Sequence, residues 1–136
     1  MNERILIVDD DKAFRIATTA LLEDHGYAVE AAPSGAAAVA LLEQRAFDLV
    51  LSDLVMEGMN GIELLQWTTA HAAETPLIMV TGFGSINTAV EAMRLGAFDY
   101  VTKPSDNDEM LIKIRRALEA RRNERELRRL REEVLR

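Results

Sequence analysis

Apolar residues along this chain fall into short runs separated by longer amphipathic stretches. Ile5-Leu6-Ile7-Val8 is one run, Phe47 to Leu51 a second and Leu77 to Val80 a third. Short, nearly continuous, β-branched-rich runs are the pattern of strands buried on both faces, as in a parallel sheet. Tyr27 to Ala31 alternates more, with Glu30 inside it, and reads as an edge strand. Phe98 to Val101 is a further candidate in which Asp99 alternates outward. Between these runs apolar positions recur at helical spacing. Phe14, Ala17 and Leu21 predict one helical face, with Asp11 as N-cap and Gly26 at the end. Ser34 and Gly35 open an alanine-rich helix through Gln44. Ile62, Leu65 and Thr69 share a face of a third helix. Ile86, Val90 and Met93 share a face of a fourth, capped by Ser85 and stopped near Gly96. The last helix begins around Asp106 and meets no breaker afterwards.

Strands and helices in strict alternation predict an α/β fold, a (βα)5 parallel sheet covered on both faces with right-handed crossovers. A length of 136 residues suits one domain with a short extension. With no cysteine, disulfide scaffolds, thiolate zinc sites and cysteine nucleophiles are excluded. No apolar run approaches the ~18 residues of a membrane span, and Ile5 to Val8 is too short for a signal-peptide core. A cytoplasmic protein with no membrane partner is expected.

Charge sharpens the picture. The formal net charge is −7, from 16 basic and 23 acidic residues. From Arg115 onward nine arginines face five glutamates, so the body is strongly acidic and the tail basic. The acids of the body are not scattered. Asp9, Asp10 and Asp11 follow the first strand, Ser52 and Asp53 follow the third, Thr81 follows the fourth, and Thr102, Lys103 and Pro104 follow the fifth. Open parallel sheets bind ligands beyond the carboxyl ends of their strands, where these polar residues would converge. Two carboxylates about 4 Å apart repel by ~4 kcal/mol at an effective dielectric near 20, a cost that calls for a cation. An oxygen-only donor set favours a hard ion such as Mg2+. Mg2+, a lysine and a hydroxyl together suit a phosphoryl group. The chain lacks a glycine-rich phosphate loop, so the phosphate need not belong to a nucleotide, and a carboxylate can itself become the acceptor.

In these pieces the chain resembles the receiver domain of bacterial two-component response regulators, whose fold is shared with the chemotaxis regulator CheY. The resemblance runs from about residue 4 to about residue 118. It rests on Val8-Asp9-Asp10, Asp53, Thr81 and Lys103-Pro104 at the ends of four strands. It implies a flavodoxin-like sheet in the order 2-1-3-4-5 and a switch that takes a phosphoryl group from a sensor histidine kinase. Asp53 would be the phosphoacceptor. Asp10, Asp53 and the backbone carbonyl of Val55 would hold Mg2+, with Asp9 acting through water. Lys103 would pair with the phosphoryl oxygens. Thr81 would shift onto the new group, with Tyr100 changing rotamer beside it, and Lys103-Pro104 would be a cis peptide.

There are departures. In Met56-Glu57-Gly58-Met59-Asn60-Gly61, Glu57 and Asn60 replace the family's proline and aspartate, and Ser105 replaces a common phenylalanine. Val55 and Phe83 stand where the family tunes phosphoryl lifetime. Neither can orient an attacking water, which implies a lifetime well beyond seconds. Two other classes are discriminated by specific residues. A haloacid-dehalogenase-type phosphatase needs Asp-x-Asp, and Asp53-Leu54-Val55 lacks the second acid. A flavodoxin-like FMN binder would meet repulsion between its phosphate and the acidic strand ends.

The last helix exceeds what a receiver needs. Leu111, Ile114 and Leu118 have the spacing to pack on the sheet. Ala120, Asn123, Leu127, Leu130 and Val134 then follow a heptad in another phase, which points to a second chain. A solvated helix stitched by pairs such as Glu124–Arg128 and Glu132–Arg136 is the plainer reading. We divide the chain into a receiver at residues 1–120 and a helical linker with coiled-coil character at 121–136. A homodimer through the fourth helix, fifth strand and fifth helix, together with the C-terminal helix, is expected. Thr81-Gly82-Phe83-Gly84, Ala89-Val90-Glu91-Ala92-Met93 and Gly96-Ala97-Phe98-Asp99-Tyr100 resemble the NtrC-like subgroup. That implies a piece of a longer transcription regulator, with an AAA+ ATPase and DNA contacted only indirectly through later domains. Glutamates interleave the arginines, which argues against the tail itself binding nucleic acid.

Overall fold

The computed structural model describes residues 2–82, 86–103 and 106–135. In chain order the elements are β1 (Arg4–Val8), α1 (Lys12–Asp24), β2 (Ala28–Ala32), α2 (Gly35–Gln44), β3 (Leu49–Asp53), α3 (Gly61–His71), β4 (Leu77–Thr81), α4 (Ile86–Arg94), β5 (Asp99–Thr102) and α5 (Asn107–Val134). All pairings are parallel and the strand order is β2-β1-β3-β4-β5, as expected. The alternating β2 is indeed an edge strand. Proposed features at Phe83, Ser85 and the Lys103–Pro104 peptide lie outside the described residues, as does Arg136.

Successive side chains of a strand point to opposite faces, and the core divides accordingly. Leu6, Val8, Val50 and Met79 pack with Ala38, Leu64, Leu65 and Ala92 on one face. Ile5, Ile7, Leu49, Leu51, Ile78 and Val80 pack with Leu22, Met110, Ile114, Ala117 and Leu118 on the other. Sequestering both faces explains why the strand runs carry so few polar residues.

Helix starts follow their caps. The Asp11 carboxylate accepts from the Ala13 and Phe14 amides, Ser34 from Ala37, and Asp106 from Asp108. Asn60 and Glu63 form a reciprocal capping box, so the substitution of asparagine in that loop retains a helix start. Gly26 and Gly96 end α1 and α4 at φ of 90° and 111°, the left-handed region that glycine adopts without strain.

The helical faces differ from those expected. In α1 the buried positions are Thr18 and Leu22 with Phe14 half-buried, one residue on from the expected Ala17 and Leu21. In α3 they are Gly61, Leu64, Leu65 and Thr68, so Leu65 is the one member shared with the expected set. In α4 the sheet is met by Ala89 and Ala92, whereas Val90 and Met93 are 52% and 39% exposed. Small residues let α4 approach the sheet and leave Val90 and Met93 outside.

In α5, Ile114 and Leu118 are buried as expected and Leu111 is half-buried. The inward face also takes Met110 and Ala117 and continues to Arg121, only 8% exposed. Arg121 Nη1 donates to Asp48 Oδ1 at 2.7 Å. Arg122 pairs with Glu3 at 2.9 Å, and Arg128 pairs with Glu74. These acids lie near the amino-terminal ends of β1, β3 and β4, at the pole opposite the aspartate cluster. Arg128 is therefore bound to the body rather than to Glu124. Further out, Arg129 pairs with Glu126 and Glu133. At about 100° per residue, Arg121 and Arg128 lie on one side of the helix and Leu127, Leu130 and Val134 on the other. Those three apolar residues are exposed.

Candidate functional site

Strand register assembles the site. Val8 is level with Ser52, Asp53 with Val80, and Thr81 with Thr102. Asp9, Asp53, Thr81 and Lys103 thus stand at one edge of the sheet. One oxygen from each of Asp9, Asp10 and Asp53 lies within 4.8 Å of the others. Lys103 Nζ donates to Asp9 Oδ2 at 2.7 Å and stands 3.7 Å from Asp53 Oδ2.

The three carboxylates are not equivalent. Asp9 is fully buried, and both its oxygens are taken. Oδ1 accepts from the Asp11 amide at 2.8 Å and Oδ2 from Lys103. Its main chain is held as well, by the Ala32 carbonyl at 3.1 Å and by Arg15 Nη1 at 2.8 Å. Asp10 is exposed. Asp53 is partly exposed, and burial, followed by the charge of Asp9, pushes its carboxyl above the ordinary 3.8. Lys103 and the Leu54 and Val55 amides pull part of the way back.

The main chain around Asp53 is tightly packed. A Cβ on Gly61 would stand 2.4 Å from the Asp53 carbonyl oxygen and 2.7 Å from Met79 Sδ, so only glycine fits where α3 begins. Gly58 turns the preceding loop with φ of 75°. The glycines of this loop do the shaping that a proline at Glu57 would otherwise assist. Val55 lies two residues beyond β3 and is 72% exposed.

Thr81 is 2% exposed, and its Oγ1 is 3.5 Å from the Val101 carbonyl, the outer limit of a hydrogen bond. Its own carbonyl accepts from the Lys103 amide at 2.6 Å, which ties the ends of β4 and β5 together. Tyr100 is 37% exposed. Lys113 Nζ lies 5.0 Å from its ring centroid and donates to its carbonyl at 2.6 Å.

The donor set fits a hard divalent cation. Three carboxylates meet one ammonium, every candidate ligand atom is oxygen, and the excess is two negative charges. The sequence reading missed two neighbours from α1. The Phe14 ring lies 4.3 Å from Lys103 Nζ, and Arg15 holds Asp9. An arginine in the early turns of a helix, where acids are favoured, four residues after an acidic run, was the available signal.

A family model described as response regulator receiver domain matches residues 5–115. The chain belongs to the response regulator receiver family. This receiver is 39% identical over 127 residues to the regulatory protein AtoC of Escherichia coli strain K12, covering 93% of this chain and 28% of that protein. Among solved structures, NtrX from Brucella abortus matches with a TM-score of 0.90 at 35% identity, over 96% of this chain and 30% of that one. A CheY-like receiver domain protein from Methanospirillum hungatei matches with a TM-score of 0.86 at 36% identity, covering 91% and 99% of the two chains. The receiver spans under a third of the length of curated relatives such as AtoC. Among the described residues, no helix is long and apolar enough to cross a membrane.

Proposed function

We propose that this receiver is a phosphorylation-dependent switch whose acceptor is Asp53. The observation that carries the reading is Lys103 Nζ placed between Asp9 and Asp53, at 2.7 and 3.7 Å, beside the exposed carboxylate of Asp10. An Asp53 oxygen attacks the phosphorus of a phosphohistidine on a sensor kinase. The P–O bond forms as the P–N bond breaks. The electron pair returns to the imidazole, which is left neutral or takes a proton from solvent. Mg2+, when bound, offsets the charge that gathers on the phosphoryl oxygens. Asp10, Asp53 and the Val55 carbonyl would hold it, with Asp9, whose oxygens are already engaged, acting through water. Lys103 pairs with one phosphoryl oxygen, and Thr81, weakly held at present, turns its hydroxyl onto another. Tyr100 changes rotamer beside it. The same chemistry allows slow self-dephosphorylation.

We place residues 1–120 in the receiver and 121–136 in a helical linker. A second copy meets the exposed Val90, Met93 and Tyr100 on the α4-β5-α5 face and the apolar stripe of α5. The setting is an NtrC-like transcription regulator in the cytoplasm, reaching DNA through an ATPase and a DNA-binding domain. Incubation with acetyl phosphate and Mg2+, followed by intact mass, gives one phosphoryl adduct that decays over much longer than seconds. Asp53→Asn gives none. An adduct that persists in Asp53→Asn overturns the assignment.

A further inference from the structure

Two adjacent residues of α1, neither of them a phosphoryl or Mg2+ ligand in the reading above, touch the site. Lys103 has a four-carbon flexible stem, and it leaves a strand of only four residues. Two carboxylates draw its ammonium, and the buried Asp9 holds it 1 Å closer than Asp53 does. A third attachment is uncharged. The Phe14 ring centroid lies 4.3 Å from Nζ, well inside the range of a cation–π contact. A ring face consumes none of the three N–H donors of an ammonium. It therefore holds the side chain in place while leaving donors free for Asp53 or for a group placed on it.

Arg15 acts on the other partner. Nη1 donates at 2.8 Å to the Asp9 carbonyl, the oxygen of the peptide that joins Asp9 to Asp10. The orientation of that peptide sets the direction in which both carboxylates leave the chain. The helix rotation that brings residues 14 and 15 back to the strand end is itself fixed locally. Asp11 caps α1 and donates its own amide to Asp9 Oδ1.

We propose that Phe14 and Arg15 are positioning residues, Phe14 for the reach of Lys103 towards Asp53 and Arg15 for the Asp9-Asp10 pair that faces the cation. The proposal rests on Asp53 being the acceptor. Phe14 and Lys103 both line an open groove of about 380 Å3, with Ala17, Leu21 and Met110, between α1 and the start of α5. The ring packs on the margin of the core and borders the groove, so the test uses Phe14→Leu and Phe14→Tyr, which keep a large side chain there, with thermal unfolding as the control for the fold.

Two measurements on the full chain separate the roles. The first is the NMR shift of the Lys103 ε-methylene, which the ring should move upfield. The second is the rate of adduct formation from acetyl phosphate against Mg2+ concentration. Phe14→Leu should abolish the upfield shift and slow the rate at saturating Mg2+ by about two- to tenfold, with an unchanged Mg2+ midpoint. Phe14→Tyr should retain both. Arg15→Gln should raise the Mg2+ midpoint several-fold and leave the Lys103 shift in place, and Arg15→Lys should recover part of the loss. An upfield shift that survives in Phe14→Leu, or a rate lost equally in Phe14→Tyr, overturns the role of Phe14. A Mg2+ midpoint unchanged in Arg15→Gln overturns that of Arg15. If the wild type takes no phosphoryl group, the acceptor reading fails. The Lys103 shift and the Mg2+ midpoint, read from the Asp10 and Asp53 amides, still decide the two contacts.

Discussion

Asp53 pays an electrostatic penalty that its neighbours only partly relieve. Its carboxyl is pushed upward first by burial and then by Asp9. A carboxyl whose pKa is raised on folding contributes stability that is fully present below its unfolded value and lost as pH rises through the folded one. At neutral pH the ionised Asp53 therefore works against folding in the absence of a cation. Asp53→Asn should melt at a higher temperature than the wild type at pH 7 in EDTA. The advantage should fade as pH falls towards and below the ordinary 3.8. Thermal unfolding across that range checks the sign, and an asparagine variant no more stable at pH 7 removes the explanation. The sequence already placed Asp9, Asp10, Asp53, Thr81 and Lys103 at one edge, because ligands gather at the carboxyl ends of parallel strands and each of these residues follows or ends an apolar run. It could not show the contacts of Phe14 and Arg15. Those depend on how α1 is rotated, and the expected face of that helix was one residue out.

That rotation belongs to the scale of elements, where periodicity alone is least decisive. The strand runs left little choice, since both faces needed apolar side chains. Helices rich in alanine and threonine gave several near-equal faces. In α4 the side that packs uses Ala89 and Ala92, while the more hydrophobic Val90 and Met93 point out. In α5 the inward face runs on past Leu118, the last of the expected packing residues, into the charged Arg121. Its guanidinium is drawn below its ordinary value by burial, with Asp48 opposing, and its Nε lacks a partner among the described residues. Asp48 serves both Arg121 and, through Oδ2 at 2.7 Å, the Arg4 amide. Asp48→Ala, which strands a buried cation, should cost about 2–4 kcal/mol. Glu3→Ala, which releases the exposed Arg122, should cost under ~1 kcal/mol. Urea unfolding of the two variants measures the difference, and equal losses would remove the distinction between them.

At the scale of the molecule, the acidic pole carries the proposed chemistry, and α5 reaches past the opposite pole. The basic tail was legible as a continuous helix, but its attachment to the body was not. Pairing between residues more than 70 positions apart, such as Asp48 with Arg121, leaves no local signal in a sequence. The arginines hold α5 to its own body and turn Leu127, Leu130 and Val134 away from it. A stripe presented in this way should be removable without harm to the receiver. Leu127→Asp combined with Leu130→Asp should shift the sedimentation of the chain to monomer and leave adduct formation on Asp53 intact. A dimer that persists would take the C-terminal helix out of the interface. The 28 residues of α5 form a beam of ~42 Å, and Arg121 and Arg122 fasten it close to its midpoint. With a fulcrum there, a tilt of about 5° carries each end ~2 Å in opposite senses. A push near Asp106, three residues beyond Lys103, would reappear reversed at the apolar stripe, smallest at Leu127 and nearly full at Val134. The exposed Arg128–Glu74 pair on the far arm is then a catch, one that rising salt loosens first.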